Sequence, residues 1–384
     1  MHILAELAAA LSFLIWLYLL VGRGRFWRFR EPIPALSLSA PRSVAVVIPA
    51  RNEAVFVAPA LASILNQDYP GPLHIVLVDD HSVDGTAETA LEAARKAGRP
   101  ELLTVLRSAP LPPGWTGKLW ALSQGIREAA RGAPDYVLLT DADILHAPDE
   151  LSRLVALAEA GGYHLVSLMV RLRCESFAER ALIPAFVFFF FKLYPPAWIA
   201  DPLRSTAGAA GGCILLHPSA LARIGGIDSI RGSLIDDCAL ARAVKDAGGK
   251  LWLGLASQTR SLRQYPKLRD VGRMISRTAF SQLKHSPLLL LGTLAGMLMT
   301  YLLPPLLLLS PQPIAVALGG LAWILMMLAY TPALSFYRRS PLWAPLLPLV
   351  AAFYSAATIH SALRYYRGLG APWKGRIQDA KPGS

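Results

Sequence analysis

Residues 3–21, ILAELAAALSFLIWLYLLV, form an apolar run about one bilayer thick when helical, broken only by Glu6. Such a run leaves two readings, a membrane helix or a cleaved leader. No basic segment precedes it and no small-residue cleavage site closes it, whereas Arg23, Arg25, Arg28 and Arg30 follow it. By the positive-inside rule it reads as an anchor, residues 1–22, with its N-terminus outside and the following chain in the cytoplasm. The signal returns at 287–309, 313–334 and 342–362, punctuated by Pro304-Pro305 and by Ser310-Pro311-Gln312-Pro313. Three further spans within 286–363 would place a basic tail, 364–384, outside. Its Arg364, Arg367, Lys374 and Arg376 oppose that placement, so either the tail breaks the rule or one segment re-enters.

The remainder must then be a separate folded domain, and composition says of what kind. Over 384 residues the chain is 54% hydrophobic and 17% charged, too apolar for an ordinary soluble protein. A formal charge of +12 suits anionic lipid head groups or a phosphorylated substrate, and no nucleic-acid partner is expected. Three scattered cysteines without a CxxC pair fit a reducing compartment. The expected location is the inner, cytoplasmic membrane, multi-pass, with the folded domain in the cytoplasm.

That domain, residues 42–285, reads as mixed α/β. Short β-branched runs at Val44–Ile48, Ile75–Val78 and Tyr136–Leu139 alternate with helical stretches near 54–66, 86–97, 118–130 and 149–160. This is the pattern of a mainly parallel sheet with crossover helices, in which ligands bind beyond the carboxyl ends of the strands. There the sequence places Pro49-Ala50-Arg51-Asn52-Glu53, then Asp79-Asp80-His81-Ser82-Val83-Asp84-Gly85-Thr86, then Asp141-Ala142-Asp143. Neither GxGxxG nor GxxxxGK[ST] is present, so the rim is built from carboxylates and not from a glycine cradle. Clustered carboxylates repel unless a cation sits among them. Asp141 and Asp143, two residues apart in extended backbone, can face one ligand, and hard oxygens suit Mg²⁺ or Mn²⁺. None of the eight histidines falls in a metal-ligand spacing. His81 and His146 flank the site without an assigned role.

The motifs "PARNE", "DDHSVDGT", "GKLWALSQG", "DAD", "GGCILL" and "IDDCAL" occur in one order over about residues 44–255. In this the chain resembles the inverting, family 2 type nucleotide-sugar glycosyltransferases of GT-A fold. More narrowly, "PPGWTGKLWAL", "IPAFVFFFFKLYP", "IRGSLIDDCALA" and "SPLLLLGT" look like the hopene-associated glycosyltransferases of hopanoid biosynthesis. Ceramide glucosyltransferases are more distant relatives.

The resemblance implies a role for each matching residue. Pro49, Ala50, Arg51, Glu53 and Asp80 would hold the nucleotide base, with Ser82 and Asp84 beside them and Asp84 capping the next helix. Ser82, Asp84 and Thr86 also read simply as turn and cap residues. Lys118 would reach the diphosphate, Asp141 and Ala142 would lie by the ribose, and Asp143, with Asp141, would hold the metal. Inversion in one displacement needs a base opposite the leaving group. By the family's "ED" motif that base is Asp237, supported by Asp236; the competing reading is that both acids only favour a helix dipole. Gly211, Gly212 and Cys213 would let the acceptor approach closely.

Two stretches point to a lipid acceptor. Residues 182–198, LIPAFVFFFFKLYPPAW, read as too short and too proline-flanked to span, and fit an interfacial helix or buried core. Arg269, Arg273 and Arg277 recur every four residues opposite Leu268, Val271 and Ile275. Like charges at that spacing call for an anionic partner, either the lipid surface or a diphosphate at Arg273 and Arg277. Processive family members carry QxxRW here, whereas this chain has Met274-Ile275-Ser276-Arg277-Thr278, which favours single-sugar transfer. The expectation is a membrane-bound, metal-dependent transferase moving one sugar from a nucleotide diphosphate donor, a UDP-sugar, to a lipid hydroxyl, in hopanoid synthesis. Its alternatives are a polyprenyl-phosphate or ceramide-type enzyme and, in another class, a non-catalytic membrane scaffold on the same fold.

Overall fold

The structure, a computed structural model, describes residues 2–29, 38 and 40–378. Of the basic clusters, Arg30, the side chain of Arg376 and residues 379–384 lie outside the described residues. The chain divides into two compact units, one comprising Arg30–Arg173 and Trp198–Gln264, the other Met1–Phe29, Cys174–Ala197 and Tyr265–Ser384.

The first unit is organised by an eight-stranded sheet. Its strands are β1 (Val44–Ala50), β2 (Leu73–Asp79), β3 (Leu103–Arg107), β4 (Tyr136–Thr140), β5 (Ile144–Leu145), β6 (Leu165–Arg171), β7 (Cys213–Leu216) and β8 (Leu251–Ser261). They lie in the order β3-β2-β1-β4-β7-β6-β8-β5. β1 to β4 are parallel, β7 runs antiparallel to both β4 and β6, and β8 is parallel to β6. The expected mixed, mainly parallel sheet is what forms. β1 and β4 are buried on both faces, as near-continuous runs of Val, Ile and Leu require.

Helix Gly117–Ala129 packs on the β1 and β2 face through Gly125, where a Cβ would collide with Val47 and come within 2.9 Å of Val78. That close approach brings the helix's first turn, and Lys118 with it, to the carboxyl ends of the strands. The turns after β1 and β2 are stitched together by side chains. Ser82 Oγ accepts from Asn52 N at 2.9 Å, Thr86 Oγ1 from Glu53 N at 2.8 Å, and Asp84 Oδ2 from Ala54 N at 3.0 Å. Asn52 Oδ1 accepts in return from Val83 N at 2.9 Å. Asp84 therefore serves two helix starts, Ala54–Leu65 and its own Thr86–Lys96.

The second unit gathers the apolar helices. Its boundary departs from the expected 42–285 domain, because Cys174–Ala197 and the residues from Tyr265 onward cluster with these helices. The reason is aromatic packing: Phe188 lies 5.3 Å from Tyr330, and Phe189 lies 5.4 Å from Tyr301 and 5.0 Å from Tyr354, centroid to centroid. Among the described residues five segments are long and apolar enough to cross a membrane: Ile3–Val21, Phe177–Ala200, Pro287–Leu309, Pro313–Phe336 and Pro341–Tyr366.

The second of these corrects the sequence reading, since the helix starts at Phe177, capped by Ser176 and Glu179, and length does not disqualify it. Connectivity does. The segment lies between β6 and β7, which are hydrogen-bonded neighbours, and a single crossing there would put the two strands on opposite sides of the membrane. A lone crossing by this segment is therefore incompatible with the pairing of β6 and β7.

The Pro287–Leu309 segment changes to a π-turn at Leu298–Leu302. Leu303 N bonds Leu298 O, and Pro304 and Pro305 have no N–H to offer, so the carbonyls of Met299 and Thr300 lose their helical donors. Ser12 Oγ donates to the first at 2.9 Å and Trp16 Nε1 to the second at 2.6 Å, both from helix His2–Val21. Polar backbone within this apolar helix is satisfied from a neighbouring helix, as a hydrocarbon setting would demand.

Candidate active site

At the carboxyl ends of β1 and β4 and the amino end of the antiparallel β7 an open pocket is lined by Pro49, Lys118, Thr140, Asp141, Gly211, Asp236 and Asp237, over an apolar floor. Residues distant in sequence are joined here by one cation. Lys118 Nζ lies 2.8 Å from Asp141 Oδ1 and 3.1 Å from Asp236 Oδ2. Burial works against its charge, but the surrounding acids more than offset it and hold the ammonium well above its ordinary range. Asp141 shifts upward through burial, with Lys118 opposing and Asp143 adding to the rise.

Asp237 opens helix Asp236–Asp246. Its Oδ2 accepts from Gly211 N at 2.8 Å and its Oδ1 from its neighbour Cys238 N at 2.7 Å. Burial, then the charge of Asp236, pushes its carboxyl up to about 6, against the pull of Lys118 and the two amides. A carboxylate held by two N–H donors, aimed into a pocket and titrating near neutrality, is equipped to accept a proton.

The expected acceptor glycines differ in function. A Cβ on Gly211 would come within 3.3 Å of Asp237 Oδ2 and 3.4 Å of Lys118 Nζ, so its bareness keeps the pocket open. A Cβ on Gly212 would meet Val170 at 3.0 Å and Ile144 at 3.3 Å, so Gly212 answers to packing beneath the site. Cys213 is fully buried and its thiol is pushed up by burial, as a packing residue and not a nucleophile.

The remaining expected site residues do not line the pocket, Pro49 apart. Ala142 is buried in the core and Ala50 ends β1 beneath the rim. Asp80 is buried, with Arg51 donating to its carbonyl and pairing with its carboxylate at 3.8 Å. Ser82 and Asp84 are engaged in the loop stitching. His146, buried against Thr140 at 2.9 Å, is lowered to about 4 by burial and so is neutral. Arg273 and Arg277 belong to the other compact unit, exposed on and just after helix Leu268–Ser276, whose Val271 and Ile275 are buried as the spacing requires.

Arg263, just beyond β8, was not anticipated. Its Nε donates to Asp143 Oδ2 at 2.8 Å and its Nη2 to both oxygens of Glu53 at 2.6 and 2.8 Å. Glu53 is thus an ion-pair partner on the rim. Nothing local marks Arg263, which lies 120 residues from Asp143 and 210 from Glu53 along the chain.

Among the described residues no group of three or more His, Cys, Asp or Glu side chains converges as a ready-made metal cage. The donor chemistry nonetheless fits Mg²⁺ or Mn²⁺. These ions usually take one or two carboxylates and complete their shell with water and substrate phosphate, and Asp141 and Asp143 are such a pair at a strand end.

A mixed sheet of this order is GT-A-like. Residues 45–225 match the family model described as Glycosyl transferase family 2. Over 143 residues the chain is 34% identical to an undecaprenyl-phosphate 4-deoxy-4-formamido-L-arabinose transferase of Aeromonas hydrophila, covering 36% of this chain and 40% of that one. It is 35% identical over 143 residues to an N-acetylglucosaminyltransferase of Mesorhizobium japonicum, covering 36% and 32%. The chain thus spans well under half the length of these curated relatives. A mannosyltransferase of Pyrobaculum calidifontis, solved in complex with GDP-mannose and Mn²⁺, superposes with a TM-score of 0.55 at 19% identity, over 93% of this chain and 98% of that one. Residues 45–225 thus resemble a glycosyl transferase family 2 domain, and the fold is GT-A-like. The narrower resemblance to hopene-associated enzymes finds no support in these relatives.

Proposed function

We propose that the protein transfers one sugar from a nucleotide diphosphate donor, a UDP-sugar, to a lipid acceptor at the membrane, with inversion. The observation that carries this reading is the Lys118 bridge, which sets a fixed cation between Asp141 and Asp236 in a pocket that Asp237 also lines. Lys118 would turn from the carboxylates to the donor diphosphate and offset the charge that grows as the nucleoside diphosphate departs. Asp237, fixed by the Gly211 and Cys238 amides, would take the acceptor's proton. Asp141 and Asp143 would hold the divalent metal, which when bound supplies positive charge for the leaving phosphates.

The proton requirement bears on the acceptor. A hydroxyl needs a base to become nucleophilic, whereas a lipid phosphate is already an anion. The pocket-facing Asp237, raised to about 6, therefore favours a lipid hydroxyl, of which a hopanoid is one case. The second reading, a polyprenyl phosphate, is favoured by the acceptor named in the Aeromonas relative. The four terminal segments free to cross a membrane agree with a lipid acceptor of either kind.

Purified protein incubated with membrane lipid extract and labelled UDP-sugars tests the proposal. A labelled lipid stable to mild acid is expected for a hydroxyl acceptor, and an acid-labile one for a phosphate. No labelled lipid with any UDP- or GDP-sugar would refute both.

A further inference from the structure

Asp143 meets a guanidinium where the proposed reaction needs a metal. The contact is not incidental to a flexible surface: Asp143 is buried, Leu262 N donates to its backbone carbonyl at 2.8 Å, and Ser261 Oγ approaches the same Oδ2 at 3.4 Å. These bonds fix the end of β8 against the Asp143 turn and deliver the next residue, Arg263, onto the carboxylate. The guanidinium is held from a second side by bidentate pairing with Glu53 and packs over the Phe56 ring at 5.1 Å. One cation therefore neutralises two buried acids supplied by different strand ends. Its planar fork meets both at once, which a lysine could not do.

We infer that Arg263 is a built-in counter-ion for Asp143, holding the metal-ligand carboxylate in place when no divalent ion is present and yielding it to the ion while remaining paired to Glu53. Two buried carboxylates without a cation would repel each other. With Arg263 in place the rim stays ordered between turnovers. The arrangement divides the labour: Glu53 retains the guanidinium, and Asp143 exchanges it. Arg263 is thus a positioning residue that competes with the metal, and Glu53 sets how strongly it competes. The inference rests on the proposed metal role of Asp143.

The two halves of the bridge predict opposite effects on metal affinity. Binding of Mn²⁺ alone to the purified full-length protein, followed by the loss of the free-ion paramagnetic resonance signal, is the measurement. Arg263→Gln removes the competitor and is expected to tighten Mn²⁺ about tenfold, the lower end of what outer-shell groups do to metal affinity. Glu53→Gln removes an acid that draws the guanidinium away from Asp143 and is expected to weaken Mn²⁺ by a similar factor. The double variant should follow Arg263→Gln, because without the arginine Glu53 has nothing to retain.

Should Arg263→Gln fail to fold, judged by its thermal transition, Glu53→Gln carries the test by itself. Unchanged or weaker binding in Arg263→Gln, or tighter binding in Glu53→Gln, overturns the inference. Asp143→Asn separates the two levels. Mn²⁺ bound by the parent and lost in Asp143→Asn, but indifferent to Arg263 and Glu53, defeats only the counter-ion role. No Mn²⁺ binding by any of the proteins defeats the metal reading and this inference together.

Discussion

The ammonium of Lys118 lies 2.8 Å from the carboxylate of Asp141, joining the first turn of a helix to the end of a central strand. The same ammonium reaches Asp236 at 3.1 Å, so one side chain keeps three elements in register around the pocket. Lys118→Met should lower turnover by about a hundredfold or more, the scale for losing one electrostatic donor to a developing charge. It should also weaken binding of UDP itself, measured by calorimetry. Unaltered UDP affinity would remove Lys118 from the diphosphate site.

Asp237→Asn should abolish transfer to a hydroxyl while leaving UDP binding intact. If the acceptor is a phosphate, the variant should retain substantial activity, so this substitution also distinguishes the acceptor classes.

With Asp237 titrating near 6, transfer should rise with pH through about that value and level off above it, because the base works only when ionised. The effect on stability has the opposite sign. A carboxyl raised above its ordinary 3.8 binds its proton more tightly folded than unfolded. Its contribution is therefore fully present below about 4 and is lost as pH rises towards 6. Thermal melting across this window should show that slope, and Asp237→Asn should remove it.

Gly211→Ala and Gly212→Ala, adjacent and chemically identical changes, should part company. The first intrudes between Asp237 and Lys118 and should reduce turnover with little change in melting temperature. The second forces Val170 and Ile144 aside and should cost about 1–3 kcal/mol of stability, read from denaturant unfolding.

Chelation should silence transfer, and Mn²⁺ or Mg²⁺ should restore it. Activity indifferent to chelator would exclude the proposed metal role of Asp141 and Asp143.

Much of the central fold was legible because its signals are local. β-branched runs such as VAVVI and YVLL are buried from both faces, so hydrophobic continuity alone marks them, and each ends in the polar cluster that becomes the rim. Lys118, Asp141, Asp236 and Asp237 were likewise readable as chemistry at strand and helix ends, and the structure gathers all four at one pocket. The expected nucleotide contacts of Ser82 and Asp84 were harder to judge. Turn residues and ligand-binding residues share the same side chains, and here the loop amides claim them.

The sequence by itself determined that apolar helices flank a parallel-sheet domain with carboxylates at its strand ends, because periodicity, span length and charge are properties of neighbouring residues. Tertiary structure alone decided three things. A lone crossing by Phe177–Ala200 is incompatible with the pairing of β6 and β7; Gly212 serves packing where Gly211 serves the pocket; and Arg263 closes on Asp143 and Glu53. Each depends on contacts between residues far apart in the chain, which are settled only when the strands take their order in the sheet.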